Sequence, residues 1–157
     1  MNVELLRRVQ KAILKEPKRV DMGQWIRTNL FGPKPGAGFP ECGTVGCIFG
    51  WAETLAKFKS LRIQPGTIYK RAQGVREEVC HLTHPEIASR GARLLDVTID
   101  QAGGLFLGFL ANNFRWGNWP EDLRDRLDEY EPGTEEYAQV VSDAIDRFIQ
   151  NPEEFTQ

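Results

Sequence analysis

The chain has 157 residues, 41% hydrophobic and 27% charged, with 20 Lys and Arg against 22 Asp and Glu for a net charge of −2. That length suits one domain, which buries roughly 70% of its unfolded surface. The balanced charge removes the usual electrostatic reason to expect a nucleic-acid polymer as partner. Four Trp, nine Phe and three Tyr supply enough apolar bulk to offset chain entropy, which excludes a disordered chain.

Residues 3–15 carry Leu5, Leu6, Val9, Ala12 and Ile13 at three- and four-residue spacings. This predicts an amphipathic helix capped by Asn2 and stopped by Pro17. A short second helix capped by Asp21 is expected to carry Met22, Trp25 and Ile26. Residues 32–43 are so dense in Gly and Pro that they form a loop. Thr44 then reads as the cap of a third helix through about Phe58, with Ile48, Trp51, Ala52 and Leu55 on one face.

Residues 59–83 leave two readings open. Strand-like alternation at Leu61–Ile63 and Thr67–Tyr69 around Pro65–Gly66 gives a small β-hairpin near 61–69. The other reading is a helix over Tyr69–Val79, interrupted by Gly74. Pro85 fits the first turn of the next helix, with Ile87, Gly91, Leu94 and Leu95 on its stripe. Thr98 and Gln101 form a capping box for a helix carrying Ala102, Leu105, Phe106 and Phe109. A polar and aromatic connection follows over 112–119. Pro120 opens a charged helix through Tyr130, Pro132–Gly133 breaks it, and Thr134 caps the last helix. Tyr137, Val141, Ala144, Ile145 and Phe148 mark that helix's buried face, and Asn151–Pro152 ends it. The fold class is therefore all-α: one compact domain over 1–157, a bundle of about six or seven helices, with the hairpin near 61–69 as an optional element.

The order of these pieces resembles a family of small uncharacterised proteins of bacteriophages and bacteria. The resemblance rests on Met22-Gly23-Gln24-Trp25, on the block Cys42-Gly43-Thr44-Val45-Gly46-Cys47-Ile48-Phe49-Gly50-Trp51-Ala52, on Leu94-Leu95 before the Thr98 helix, and on Trp119-Pro120. It covers most of the chain outside 59–83. It implies a phage or prophage origin and brings no biochemical activity with it.

Several constellations carry chemistry. Cys47, in the first turn of a helix capped by Thr44, would have its thiol pKa lowered by the helix dipole. A buried cysteine packing as a small hydrophobe is the plainer alternative. Cys42, Cys47 and Cys80 with His81 or His84 make up the composition of a Cys₃His zinc site, but without the paired spacing typical of one. Gly43, Thr44, Val45 and Gly46 at a helix start suit an anion, or simply a tight turn and cap. Trp116 and Trp119, with Arg115, offer aromatic faces and a guanidinium to a planar ligand such as a nucleobase. They suit a protein-docking patch equally, or a cover for the end of the bundle. Glu121–Glu129 carries mixed charges expected to pair locally on a solvated face. No hydrolase elbow, zinc-protease helix, kinase or deaminase pattern is present.

The leading expectation is a small non-enzymatic binding protein for an anionic, nucleotide-like ligand, such as a signal used in host defence. Its pocket would draw on Gly43, Thr44, Val45, Gly46, Cys47, Trp25, Arg115, Trp116 and Trp119, with the 32–43 loop as a lid. The alternatives are a module that docks on a host protein, and a Cys47-dependent enzyme or zinc protein. No cofactor and no membrane partner are expected. The N-terminus has no secretory signal and no apolar run approaches a membrane span. With three cysteines and no signal, the expected location is the cytoplasm, the host's if phage-encoded.

Overall fold

A computed structural model describes residues 1–22, 26–27, 45–56, 68–72, 75–79, 84–106 and 119–156. Among them are six α-helices and two short antiparallel strand pairs. The architecture is an all-α bundle, as the helical periodicities predict.

The first helix, α1 (Val3–Lys15), is capped as expected: the Leu5 N–H donates to Asn2 Oδ1 at 3.1 Å. Leu5, Leu6, Val9 and Ile13 are buried, and the opposite face carries Arg7, Arg8 and Lys11. Pro17 ends the helix by starting a single 3₁₀ turn, Pro17–Arg19. No helix follows at Asp21. Instead Ile26–Arg27 is a strand, β1, paired with Val45–Gly46, β2, in the register Ile26 opposite Gly46 and Arg27 opposite Val45. Pairing with a segment nearly twenty residues away overrides the local helical spacing of Met22 and Ile26.

The same pairing shortens the next helix, α2 (Ile48–Leu55). Because Val45 and Gly46 are extended in β2, the helix opens three residues later than a Thr44 cap would place it. Cys47 becomes the capping residue, its carbonyl accepting from the Trp51 N–H at 3.1 Å. Ile48, Phe49, Trp51 and Ala52 are all buried.

A hairpin does occur, but its described arms lie further on. Ile68–Ala72 (β3) pairs with Val75–Val79 (β4) around residues 73–74, so Ile68 and Tyr69 are strand residues as read, paired forward with 75–79. Val75–Val79 is strand, which removes the helical reading of 69–79. Leu61–Ile63 and Pro65–Gly66 lie outside the described residues.

Helices α3 (His84–Leu95) and α4 (Ile99–Phe106) pack against each other. The capping box is present in both directions: the Gln101 N–H donates to Thr98 Oγ1 at 3.2 Å, and the Thr98 N–H to Gln101 Oε1 at 3.1 Å. Gly91 lets the helices close up, since a Cβ there would lie inside the Phe106 ring. Helix α5 (Glu121–Asp128) stops two residues short of Tyr130 and buries only Leu123 and Leu127. Helix α6 (Glu135–Gln150) is capped by Thr134, whose Oγ1 accepts from the Tyr137 N–H at 3.2 Å, and buries the whole predicted face. It packs on α1 and α5.

Two charges of α5 pair across to the next helix. Arg126 reaches Asp143 of α6 at 2.7 Å, and Asp122 takes Arg147 of α6 at 2.7 Å. Mixed charges on one helix therefore serve to join two helices. A second 3₁₀ turn, Pro152–Phe155, folds back and places Phe155 fully inside the core. Among the described residues no helix is long and apolar enough to cross a membrane.

Candidate functional site

Helices α2 and α4 meet at two aromatic side chains. Phe49, in the first turn of α2, and Phe106 of α4 lie 5.2 Å apart between ring centroids with their planes tilted by 46°. Both side chains are buried. The pairing of β1 with β2 brings Arg27 opposite Val45 shortly before α2 in sequence. The Trp119 indole N–H donates to the Leu105 carbonyl of α4 at 3.2 Å.

The ground beneath β2 is equally well defined. The Pro17–Arg19 turn lies against β2, and the Arg19 guanidinium sits 5.4 Å from the centre of the Trp51 ring. Arg19 is also paired with Glu16 at 2.6 Å. The Met22 N–H donates to the buried Tyr137 hydroxyl at 3.0 Å. Burial pushes the Tyr137 hydroxyl pKa well up, against the lowering effect of the Met22 amide, so the phenol stays protonated. Residues 17–22 are thereby fastened to both α2 and α6.

Cys47 is buried, and burial pushes its thiol up to about 11, although the Gly50 and Phe49 amides act to lower it. The helix-start effect is thus outweighed by desolvation. A thiol held protonated by burial is a poor nucleophile at neutral pH. The first-turn amides at Phe49 and Gly50 face the Cys47 sulfur, and residues 47–50 are buried. The anion-cradling helix start expected at Val45–Gly46 is instead a strand pair. Trp119 is likewise a core residue, its ring meeting Phe155 edge-on at 6.3 Å. That matches the reading in which it covers the end of the bundle.

Of the expected site residues, Val45 and Gly46 are therefore in β2, and Cys47 and Trp119 are buried in the core. Gly43, Thr44, Trp25, Arg115 and Trp116 lie outside the described residues, as do Cys42, Cys80 and His81 of the zinc alternative; His84 begins α3. Among the described residues no three His, Cys, Asp or Glu side chains form a metal-binding group. A depression of about 370 Å³ between α1, the end of α2 and α3 contains none of the expected site residues. Of its two guanidinium groups, Arg8 is already donating to the Leu55 carbonyl at 2.8 Å.

The sequence reading missed Phe49 and Phe155. The uninterrupted apolar run Cys47-Ile48-Phe49 was the available signal for a helix buried on every side. No protein-family model, no curated protein and no solved structure matches the chain.

Proposed function

We propose that this protein is a small binding protein that holds an anionic, nucleotide-like ligand with side chains drawn from residues 28–44 and 107–118. The observation that carries this reading is the Phe49–Phe106 contact. It brings together Phe49, which follows Val45 closely in sequence, and Phe106, which directly precedes residue 107. In sequence, residues 28–44 are rich in Gly and Pro and carry Gly43 and Thr44. Residues 107–118 carry Arg115 and Trp116. Together they hold the residue types a nucleotide needs: an aromatic face, a guanidinium, a hydroxyl and glycine amides. Cys47 and Trp119 are supports in this reading, and the protonated Cys47 favours binding over thiol chemistry.

The test is native mass spectrometry of freshly purified protein against its denatured mass, followed by thermal-shift screening with nucleoside mono-, di- and triphosphates and cyclic nucleotides. The expected result is a nucleotide-sized mass lost on denaturation or a nucleotide-dependent rise in Tm. Both should be weakened in Thr44→Ala and Trp116→Ala variants that keep the wild-type circular dichroism. Unchanged retention in both folded variants, or a bare chain that no nucleotide stabilises, overturns the reading.

A further inference from the structure

The turn Pro152–Phe155 is attached to the bundle in an unusual way. Its backbone hydrogen bonds among the described residues are internal: the Glu154 N–H to the Asn151 carbonyl and the Thr156 N–H to the Glu153 carbonyl, both at 3.2 Å. It is joined to the helices by side-chain contacts and by the close seat of one carbonyl against α4. Phe155 is the one apolar anchor, its ring edge-on to Phe148 at 5.2 Å and to Trp119 at 6.3 Å. Glu153 accepts from Gln101 Nε2 at 2.8 Å, and Glu154 accepts from Arg147 Nε at 2.6 Å. Gly104 on α4 leaves the space that the Phe155 carbonyl fills, and a Cβ there would overlap it. The helices have their own core without this turn: Leu6, Val9, Ile13, Val141, Ala144, Ile145 and Phe148.

We infer that Pro152–Phe155 is a releasable strap, which opens as a unit while the helices stay folded and thereby uncovers Trp119. A segment held by one apolar anchor and two partly exposed charged contacts sits at the low-stability end of a fold. Opening removes the Phe155 ring from the Trp119 indole. It leaves the Trp119–Leu105 hydrogen bond exposed to competition from water.

Native-state hydrogen exchange by NMR tests it, with the Trp119 indole proton set against the slowest α6 amides, such as Val141 and Ala144. The Trp119 proton is expected to exchange at least about tenfold faster than those amides, by sub-global opening. Replacing Glu154 by Gln should accelerate it a further two- to fivefold or so, leaving the α6 amides unchanged. Phe155→Ala should accelerate it more strongly, and if that variant fails to fold, the wild-type and Glu154→Gln rates still decide. Exchange of Trp119 at the same rate as the α6 amides, in wild type and in Glu154→Gln alike, would mean that the strap leaves only on global unfolding, and the inference fails.

Discussion

Phe49 and Phe106 lie 5.2 Å apart, joining the first turn of α2 to α4. Behind Phe106 stands Gly91 of α3, where the ring takes the space a side chain would need. Three helices are therefore interlocked at this one ring. Phe106→Ala should cost about 3–4 kcal/mol, the usual penalty for emptying a buried aromatic position. Gly91→Ala should cost about 1–3 kcal/mol by overpacking. In the double variant the added methyl enters the space the ring vacates, so the two losses should fall short of their sum by about 1 kcal/mol or more. Urea unfolding of the four proteins measures this coupling, and strict additivity would place the two residues out of contact.

Gly104→Ala is a different kind of overpacking. The group in the way is the Phe155 carbonyl, which is backbone and cannot rotate aside as a side chain can. The methyl group must either distort α4 or expel the strap, with loss of Phe155 burial. A drop of about 2–4 kcal/mol is expected. Deleting residues 152–157 from the Gly104→Ala protein should then cost little more. If the deletion costs as much in Gly104→Ala as in wild type, the methyl group has been accommodated with the strap in place.

How much of this was legible in the sequence depends on whether the cause was local. Asn2, the Thr98–Gln101 box and Thr134 act within three residues of themselves, and each cap reads off directly. The α6 face follows from spacing alone. The Thr44 cap fails for the opposite reason: strand pairing of Val45–Gly46 with Ile26–Arg27 decides the backbone there, and nothing within a helical window announces it. The partners of Asp122 and Arg126 are on α6, out of reach of an i,i+4 argument. Phe155 lies beyond Pro152, where the helical period has already ended, so burial of a single aromatic there has no pattern to reveal it. For the candidate site, the residue types were legible from sequence, whereas the contact of Phe49 with Phe106 was not, because it joins helices far apart in the chain.

Helix α3 ends in a backbone shape that suits glycine and holds aspartate instead. Asp96 has φ +54°, and the Val97 N–H reaches back to the Ala92 carbonyl at 3.1 Å, the six-to-one bond of a Schellman turn. Its carboxylate opposes the helix dipole, and its ion pair with the Met1 ammonium at 3.2 Å is solvent-exposed and offsets little of that. Asp96→Gly should therefore stabilise the protein by about 0.5–1 kcal/mol. A higher urea midpoint with an unchanged m value would show it. An unchanged or lower midpoint would mean that the aspartate side chain compensates for its backbone.

Cys47 makes stability depend on alkaline pH. Its thiol is held up to about 11 in the folded chain, against 9.0 as its ordinary value, chiefly by burial. Below pH 9 both states keep the proton and the residue costs nothing. Between pH 9 and about 11 the unfolded chain releases the proton while the folded chain retains it, so stability falls as pH rises. Two pH units of difference correspond to roughly 2–3 kcal/mol lost across that window. Cys47→Ala should start slightly less stable, having lost a buried sulfur, and then show a shallower decline than wild type between pH 9 and 11. The same burial makes Cys47 slow to react with iodoacetamide in the native state and fast in urea. Parallel alkaline declines in the two proteins, or rapid native alkylation at pH 8, would show that Cys47 is reachable and ionisable, and would reopen the thiol chemistry that its burial argues against.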